Sequence, residues 1–283
     1  MTWQTIGFEK IKKLFEKSLK EGLLNHAYIF SGQEMIGKKT FALELAGLSN
    51  NHACVNPNLL FIDASSSESG RSIPIDKVRE IKEFLSLSSH SGGYKFVVID
   101  DANLMATEAQ NALLKILEEP SSLSVLILIT PNSDSLLPTI ASRCQEIRFP
   151  SHSDKTVTQF LAGSKLPKNK IDFLVEFSNG RIGLVKNIEE EGSFGEVEDS
   201  VNELMKIIKL DLNDRLVVAQ KLTDDKNKAD LSKLVFYWIL YMRMRMSEPK
   251  AHRILKNLLN LYNISTQPQF NQRLALENFM VQL

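Results

Sequence analysis

A glycine-containing segment near the N-terminus has the residue types that bind phosphate. Gly32, Gly37 and Lys38 occupy the fixed positions of the pattern G-x-x-x-x-G-K-[S/T]. In such a loop, backbone N–H groups and a helix N-terminus point at the anion, and the lysine adds a positive charge. The next position, where a Ser or Thr hydroxyl would bind magnesium, is Lys39, and Thr40 lies one residue further along. The segment indicates an altered phosphate loop or, alternatively, a strand-to-helix turn with a solvated lysine pair.

Two adjacent acids could serve the same chemistry. Asp100 and Asp101 follow the apolar run Phe96–Ile99. In nucleotide-hydrolysing proteins with a phosphate loop, the first acid at such a strand end holds magnesium, and a glutamate beside it polarises the attacking water. Asp101 stands in the glutamate's place with a side chain that is one bond shorter. A solvated strand end is the alternative, so this pair is a weak signal when taken alone.

Short apolar runs and helical patterns alternate over the first 150 residues, and these elements must position the loop and the acids. Apolar runs that continue on both faces, separated by helices, are typical of parallel strands with helical crossovers. We therefore predict an α/β fold with a mostly parallel sheet. The predicted strands are Ala27–Phe30, Leu59–Ile62, Phe96–Ile99, Val125–Ile129 and Glu146–Phe149, and the predicted helices are Phe8–Leu19, Lys38–Leu48, Ile75–Leu87 and Thr107–Leu117.

Only helical patterns follow Pro150. A polar segment with two glycines, residues 191–195, predicts a linker between helices. The sequence thus predicts an α/β domain over residues 1–150, a small helical domain over 151–192 and a second helical domain over 193–283. The predicted helices are Asp154–Leu161, Lys170–Phe177, Ile182–Glu190, Val197–Lys209, Leu212–Leu222, Lys228–Met246, Lys250–Tyr262 and Pro268–Leu283.

The composition excludes several classes of protein. The 34 basic residues balance the 34 acidic residues among 283, so strong attraction of the whole chain to nucleic acid is not expected. Two cysteines without a Cys-x-x-Cys pattern indicate neither a disulfide framework nor a cysteine zinc site. The longest apolar stretch is too short to span a membrane. The simplest interpretation is a reduced, cytoplasmic compartment.

The order of the motifs is more specific than any one of them. "HAYIFSG", the phosphate loop, "VVIDDA", "NALLKILEEP" and "SRC" follow one another along the chain. This order resembles the clamp-loader subunits of bacterial DNA polymerase III, which belong to the AAA+ ATPase superfamily. The resemblance extends over about residues 1–190, while the last third agrees only in helix content and length. It implies an AAA+ parallel-sheet core, a small helical lid domain and an all-α collar domain that mediates oligomerisation.

The chain departs from the motor subunits of that family, gamma and tau, at each hydrolytic position. Together the departures indicate relaxed demand for hydrolysis, because each lost group is typically worth orders of magnitude in rate. The pattern resembles the delta prime branch of the family rather than the motor branch. The differing residues are Met35 for a loop glycine, Lys39 for the hydroxyl, Asp101 for the glutamate, Pro131 for a polar sensor and Gly183 for a sensor arginine.

The resemblance also implies roles for residues near these positions. Thr130 and Asn132 flank Pro131, and Thr130 is a candidate for nucleotide contact. Arg181 lies two residues from the sensor slot, on another face of the predicted helix. ATP or ADP with magnesium is expected to bind weakly, and no cofactor is expected to be required. Zinc is not expected, since the short link at residues 49–58 holds only His52 and Cys54 as potential ligands.

Ser142-Arg143-Cys144 is intact. In the family, this arginine reaches into a neighbouring subunit's ATP site and stabilises charge on the transferring phosphate, a task that suits a permanently charged, two-point donor. The resemblance therefore implies that Arg143 acts in trans, that Ser142 fixes the turn and that Cys144 is a small buried residue. A surface salt bridge is the alternative for Arg143.

The resemblance implies partners as well. These are the gamma/tau and delta subunits in a hetero-oligomeric ring, and the sliding clamp and primed DNA through the assembled complex. The chain would then belong to the DNA-directed DNA polymerase (nucleotidyltransferase) holoenzyme in DNA replication, with little ATPase activity of its own.

Two enzymatic alternatives remain. One is an active gamma/tau-like motor in which Asp101 is the base and Thr40 reaches magnesium after a local shift. The other is a small-molecule kinase, which would need a substrate lid on the α/β core, whereas the additional residues of this chain form helical domains after it.

Overall fold

The computed structural model describes residues 3–50, 56–64, 72–87, 92–223, 231–265 and 271–283. They form two compact units. One lies within Met1–Val157 together with Gly180–Gly183, and the other lies within Thr158–Asn179 together with Leu184–Leu283. No described helix is both long and apolar enough to cross a membrane.

A parallel sheet forms the centre of the first unit. Its strands lie in the order β2-β3-β4-β1-β5, and every pair of neighbours is parallel. The predicted α/β fold with a parallel sheet is therefore confirmed, and no strand end differs from the prediction by more than one residue. The strands are β1 (Ala27–Ser31), β2 (Leu59–Ile62), β3 (Lys95–Ile99), β4 (Ser124–Thr130) and β5 (Gln145–Arg148).

Helices cover both faces of this sheet. Alternate residues of β3 show why the four residues after Lys95 are all apolar. Val97 and Ile99 lie in one buried cluster, with residues of α3 and α4, while Phe96 and Val98 lie in a second, with residues of α1 and α2. The helices of this unit are α1 (Glu9–Glu21), α2 (Lys38–Asn50), α3 (Ile75–Ser86), α4 (Thr107–Glu118) and α5 (Pro138–Ala141), and the sequence patterns missed only the short α5 among these.

The described residues after the sheet are helical apart from their connections, as predicted. The helices are α6 (Asp154–Phe160), α7 (Lys168–Ser178), α8 (Ile182–Glu191), α9 (Phe194–Ile207), α10 (Leu212–Thr223), α11 (Leu231–Met244), α12 (Ala251–Ser265) and α13 (Gln272–Gln282). Trp238 of α11 is fully buried in the core of the second unit. The ring of Phe177 in α7 lies 5.9 Å from that of Tyr237 in α11. The predicted starts of α11 and α13, at Lys228 and Pro268, fall outside the described residues.

The predicted linker at residues 191–195 is shorter in the structure. α8 ends at Glu191 and α9 begins at Phe194, whose side chain is buried. Phe194 packs on Phe173 of α7 with ring centres 6.0 Å apart, which explains why this polar segment contains an apolar residue. The division of the helical part into a lid domain (151–192) and a collar domain (193–283) stays a prediction.

Candidate functional site

The phosphate-loop segment connects β1 to α2. β1 ends at Ser31 and α2 begins at Lys38. Gly32 (φ 144°) and Gly37 (φ 105°) both have positive φ, which favours glycine. A Cβ on Gly32 would also collide with the carbonyl oxygen of Phe149. The glycine positions of the motif are therefore required by the backbone of a strand–loop–helix connection, as the sequence predicted.

Lys38 is enclosed by this loop. Its ammonium donates to the carbonyl oxygens of Gly32 (2.5 Å) and Gln33 (2.6 Å), and the residue is buried. Burial lowers the pKa of Lys38 to about 8, although the charge of Glu34 opposes this shift. The alternative of a solvated lysine pair is therefore wrong for Lys38.

Lys39 contacts the first acid of the β3 end. Its Nζ lies 3.4 Å from Asp100 Oδ2 and 4.3 Å from the ring centre of Phe61 on β2. Lys39 stands where a metal-binding hydroxyl would be. Its positive charge lies beside Asp100, the carboxylate that would bind the same metal. Thr40 lies in the first turn of α2 and is exposed.

Asp101 lies in an unfavourable charge environment. Its backbone has a left-handed conformation (φ 50°) and precedes a short 3₁₀ helix, Ala102–Leu104. Burial, followed by the charges of Asp100 and Glu34, raises the pKa of Asp101 to about 6. A carboxyl group with this pKa is titrated close to neutral pH.

The side chain of Thr130 is hydrogen-bonded within the turn that follows β4. The residue is buried, its hydroxyl donates to the carbonyl oxygen of Asn132 (2.9 Å), and the hydroxyl of Ser135 lies 2.9 Å away. In the sheet register Thr130 lies beside Ser31, the last residue of β1. Its backbone is therefore next to the start of the loop, while its hydroxyl bonds within the turn.

The start of α8 contacts the phosphate loop directly. The N–H of Gly183 donates to the carbonyl oxygen of Met35 (2.7 Å), and a Cβ on Gly183 would lie 2.7 Å from the same oxygen. Met35 itself has a left-handed backbone (φ 59°), the conformation that the missing loop glycine would adopt without strain. Position 183, where a motor subunit would have its sensor arginine, therefore has no room for a side chain.

Arg181 requires a correction. α8 begins at Ile182, as the predicted helix does, so Arg181 precedes the helix and does not lie on one of its faces. The residue is 9% exposed, and its positive charge contributes to the lowered pKa of Lys38. The structure thus places a second cation beside the loop lysine, and no local pattern in the sequence indicated this.

Arg143 follows α5, separated from it by Ser142. Its Nη2 lies 2.8 Å from Glu118 Oε1, and its Nη1 donates to the carbonyl oxygen of Thr139 (3.0 Å). The side chain remains 38% exposed. Ser142 donates to the same carbonyl oxygen (3.1 Å), an arrangement that is consistent with a role in the turn. Sequence reasoning missed Glu118, which ends α4 and lies 25 residues before Arg143.

Cys144 completes this segment. The residue is half-buried, and burial raises the pKa of its thiol to about 12. At neutral pH the thiol is therefore protonated and a poor nucleophile, in keeping with the expectation of a structural residue.

The model of the family described as "DNA polymerase III, delta subunit" matches residues 7–153, which include the loop, both acids and Arg143. The chain belongs to this family. Its DNA polymerase III relatives include subunit delta prime of Pseudomonas aeruginosa, 28% identical over 233 residues (75% of this chain, 69% of that protein), and subunit delta prime of Bacillus subtilis, 28% identical over 218 residues (71% and 63%). The match therefore spans about two thirds of the length of each delta prime protein.

Another DNA polymerase III subunit and a solved structure are also similar to this chain. DNA polymerase III subunit tau of Bacillus subtilis is 31% identical over 162 residues, which cover 51% of this chain and 28% of that protein. The crystal structure of a DNA polymerase III gamma subunit-related protein from Thermotoga maritima has a TM-score of 0.58 at 20% identity and covers 96% of this chain and 97% of that one. At this identity the likeness shows that the two chains share a fold.

The residues of this family member do not fit a magnesium ion at the loop. A phosphate-loop metal needs oxygen ligands from the residue after the lysine and from the first acid. Here the first of these positions supplies an ammonium, which has no lone pair to donate. The described residues contain no group of three or more His, Cys, Asp or Glu that could hold a metal. The expectation about zinc concerns His52 and Cys54, which lie outside the described residues.

The second unit has a groove of its own, of about 550 Å³, among α7, α9 and α11. Aromatic and charged side chains line it, including Phe173, Phe194, Tyr241, Lys170 and Arg245. None of the described residues that line this groove belongs to the phosphate-loop segment.

Proposed function

We propose that this chain acts as a delta prime-type subunit of the DNA polymerase III clamp loader. In that role it holds the gamma/tau and delta subunits in a ring, hydrolyses little ATP itself and helps to load the sliding clamp onto primed DNA. The family membership and the delta prime relatives support this proposal.

The observation that favours it most is the contrast between two sites. At the chain's own loop, the magnesium hydroxyl, the catalytic glutamate and the sensor arginine are replaced by Lys39, Asp101 and Gly183. Arg143, which would serve another subunit, is retained and partly exposed. Each missing group is worth a few kcal/mol of transition-state stabilisation, so their combined loss disfavours hydrolysis at this loop.

Arg143 has a suitable environment for action in trans. Its ion pair with Glu118 is solvent-exposed, and such a pair contributes little to stability, about 0–1 kcal/mol. A phosphate group of a neighbouring subunit's nucleotide would offer two-point, charge-assisted hydrogen bonds in exchange. In the free chain Glu118 and the carbonyl oxygen of Thr139 bind the guanidinium instead.

The test uses Arg143→Ala in a clamp loader assembled with gamma/tau and delta. We expect normal folding and assembly, with slower DNA-stimulated ATP hydrolysis and slower clamp loading. An arginine finger is worth roughly 10³–10⁵ in rate at its own site, but the defect should be partial, because the other ATP sites of the ring keep theirs. Arg143→Lys should restore little activity, since an ammonium lacks the planar two-point contact.

Arg148→Ala is the matched control. Arg148 is a nearby, more exposed arginine that pairs with Glu146 instead. We expect full activity from the control complex. If the Arg143→Ala complex hydrolyses ATP and loads clamps as fast as the control, Arg143 only stabilises a turn and the proposal is wrong.

An active motor of the gamma/tau type is the second candidate, because subunit tau of Bacillus subtilis is also similar to this chain. Steady-state hydrolysis by the isolated chain separates the two. Turnover above about one per second, near the low end for ordinary enzymes, would favour the motor.

A further inference from the structure

The groove in the second unit is formed by one face of each of three helices. Its apolar lining consists of Phe194 and Val201 of α9, Phe173 of α7, and Tyr241 and Met244 of α11. The two residues of α9 are buried, and the other three are half-buried. Its volume of about 550 Å³ lies within the range of pockets that bind ligands. The groove can therefore bury bulky apolar side chains of an occupant.

The two cations that line the groove are already paired within the chain. Lys170 Nζ lies 3.2 Å from Glu198 Oε2. Arg245 forms an ion pair with Glu248, and its Nη1 donates to the hydroxyl of Tyr241 (2.5 Å). Because carboxylates compensate both positive charges, these cations give the groove no surplus attraction for an anion.

Three other polar side chains at the groove are exposed and have no partner among the described residues. They are the carboxylate of Glu176 and the amide of Asn169 on α7, and the amide of Asn202 on α9. A carboxylate binds lysine or arginine through charge-assisted hydrogen bonds. Each amide offers both donors and an acceptor, which suits the N–H and C=O groups of a peptide backbone.

The charge of α9 has the same sign as that of Glu176. This helix carries four acidic residues and one basic residue, although the chain as a whole is neutral. The uncompensated charge at the groove is therefore negative, and it favours a cationic occupant.

We propose that this groove binds a basic, amphipathic peptide segment of a partner protein. Bulky apolar side chains of the segment pack on Phe173 and Met244, and a lysine or arginine pairs with Glu176. The peptide backbone bonds to the two asparagine amides. Nucleic acid does not fit, because its phosphates would meet an unpaired carboxylate and cations that are already paired. The proposal goes beyond the clamp-loader role and does not depend on Arg143.

The first test selects random peptides of about twelve residues, displayed on phage, for binding to the full chain. Asn202→Trp is the counter-selection variant, because an indole at this exposed position would occupy the groove without replacing a core residue. We expect selected peptides that combine aromatic or aliphatic residues with lysine or arginine. By fluorescence anisotropy they should bind the natural chain at least about 10-fold more tightly than the variant.

The second test uses two charge reversals as a matched pair, Glu176→Lys and Asp199→Lys. Both residues are exposed, but only Glu176 lines the groove. Glu176→Lys should weaken binding of a selected peptide at least about 10-fold, because a direct charge-assisted bond becomes a repulsion. Asp199→Lys should weaken it less than about 3-fold, because solvent and salt screen a charge that makes no contact.

Three results would overturn the proposal. One is that no selected peptide distinguishes the natural chain from the Asn202→Trp chain. Another is that the distinguishing peptides are acidic or lack apolar residues. The third is that Glu176→Lys and Asp199→Lys weaken binding equally. Thermal melts that match the natural chain verify that each variant is folded, and all three substitutions are at exposed positions.

Discussion

Asp101 is a carboxylate whose ionised form is disfavoured both by burial and by the negative charges of Asp100 and Glu34. Its folded-state pKa of about 6 exceeds the ordinary value of 3.8, and the groups that act on it are Asp100, Glu34, Lys38 and Lys39. Because the pKa is raised, the protonated carboxyl is favoured in the folded state. The associated stabilisation is fully present below about pH 4 and is lost as the pH rises through about 6.

Asp101→Asn should therefore stabilise the chain at neutral pH. Asn cannot ionise, so the gain over the natural chain should grow between pH 4 and pH 7. Solvent screens part of the effect at this half-buried site, and we expect a gain of about 1 kcal/mol, or about 2–4 °C in Tm. Asn also tolerates the left-handed backbone better, which adds a gain that does not depend on pH.

Thermal melts at pH 4, 5.5 and 7 test this. Asp76→Asn is the control, because Asp76 is an exposed aspartate that pairs with Arg79 on α3. A Tm difference for Asp101→Asn that is the same at all three pH values would show that Asp101 does not titrate in this range.

At the scale of elements, the start of α8 depends on a close backbone contact. Gly183 donates to the carbonyl oxygen of Met35 and leaves no room for a Cβ there. The Cβ of an arginine at this position would meet the carbonyl oxygen of Met35. Packing as well as residue type therefore disfavours a sensor arginine at position 183.

Gly183→Ala should destabilise the chain by about 1–3 kcal/mol, because the new methyl group meets a backbone atom that cannot move without cost. Helix propensity alone predicts the opposite sign. Gly195→Ala is the matched control, since Gly195 lies in α9 with open space around its Cβ position, and it should stabilise by about 0.5–1 kcal/mol. Denaturant unfolding measures both. Equal gains from the two substitutions would mean that the contact between α8 and the loop is not formed.

At the scale of the whole molecule, each compact unit contains one of the two tryptophans. Trp3 stacks on Phe41 in the first unit, with ring centres 4.6 Å apart, and Trp238 lies in the core of the second. A Trp3→Phe variant therefore keeps Trp238 as a fluorescent probe of the second unit. A Trp238→Phe variant keeps Trp3 as a probe of the first.

Leu258→Ala should lower the stability reported by Trp238 and spare that reported by Trp3. Leu258 is fully buried in the second unit, and truncating such a residue costs about 2–5 kcal/mol. Leu45→Ala in the first unit should do the reverse, because Leu45 is fully buried beside Phe41. Denaturant midpoints in the two single-tryptophan backgrounds give the result. If both probes shift equally with either substitution, the two units unfold as one.

The sequence by itself determined the elements of this protein. All five strands and the longer helices of the first unit agree with the patterns, because apolar runs and helical periodicity are local properties of the chain. The positions of Gly32, Gly37 and Lys38 also followed from the sequence, since a phosphate loop is one continuous segment between a strand and a helix. The order of the motifs sufficed to indicate the family that the comparison then showed.

Only the tertiary structure decided which of these residues meet. Lys39 reaches Asp100, Arg143 reaches Glu118, and Gly183 reaches Met35 across 61, 25 and 148 residues of sequence. The order β2-β3-β4-β1-β5 brings the ends of non-consecutive strands together, and no local pattern encodes that order. Arg181 shows the same limit, because its charge acts on Lys38, which is far away in the sequence. Pairing over such distances depends on packing of the whole sheet and its helices.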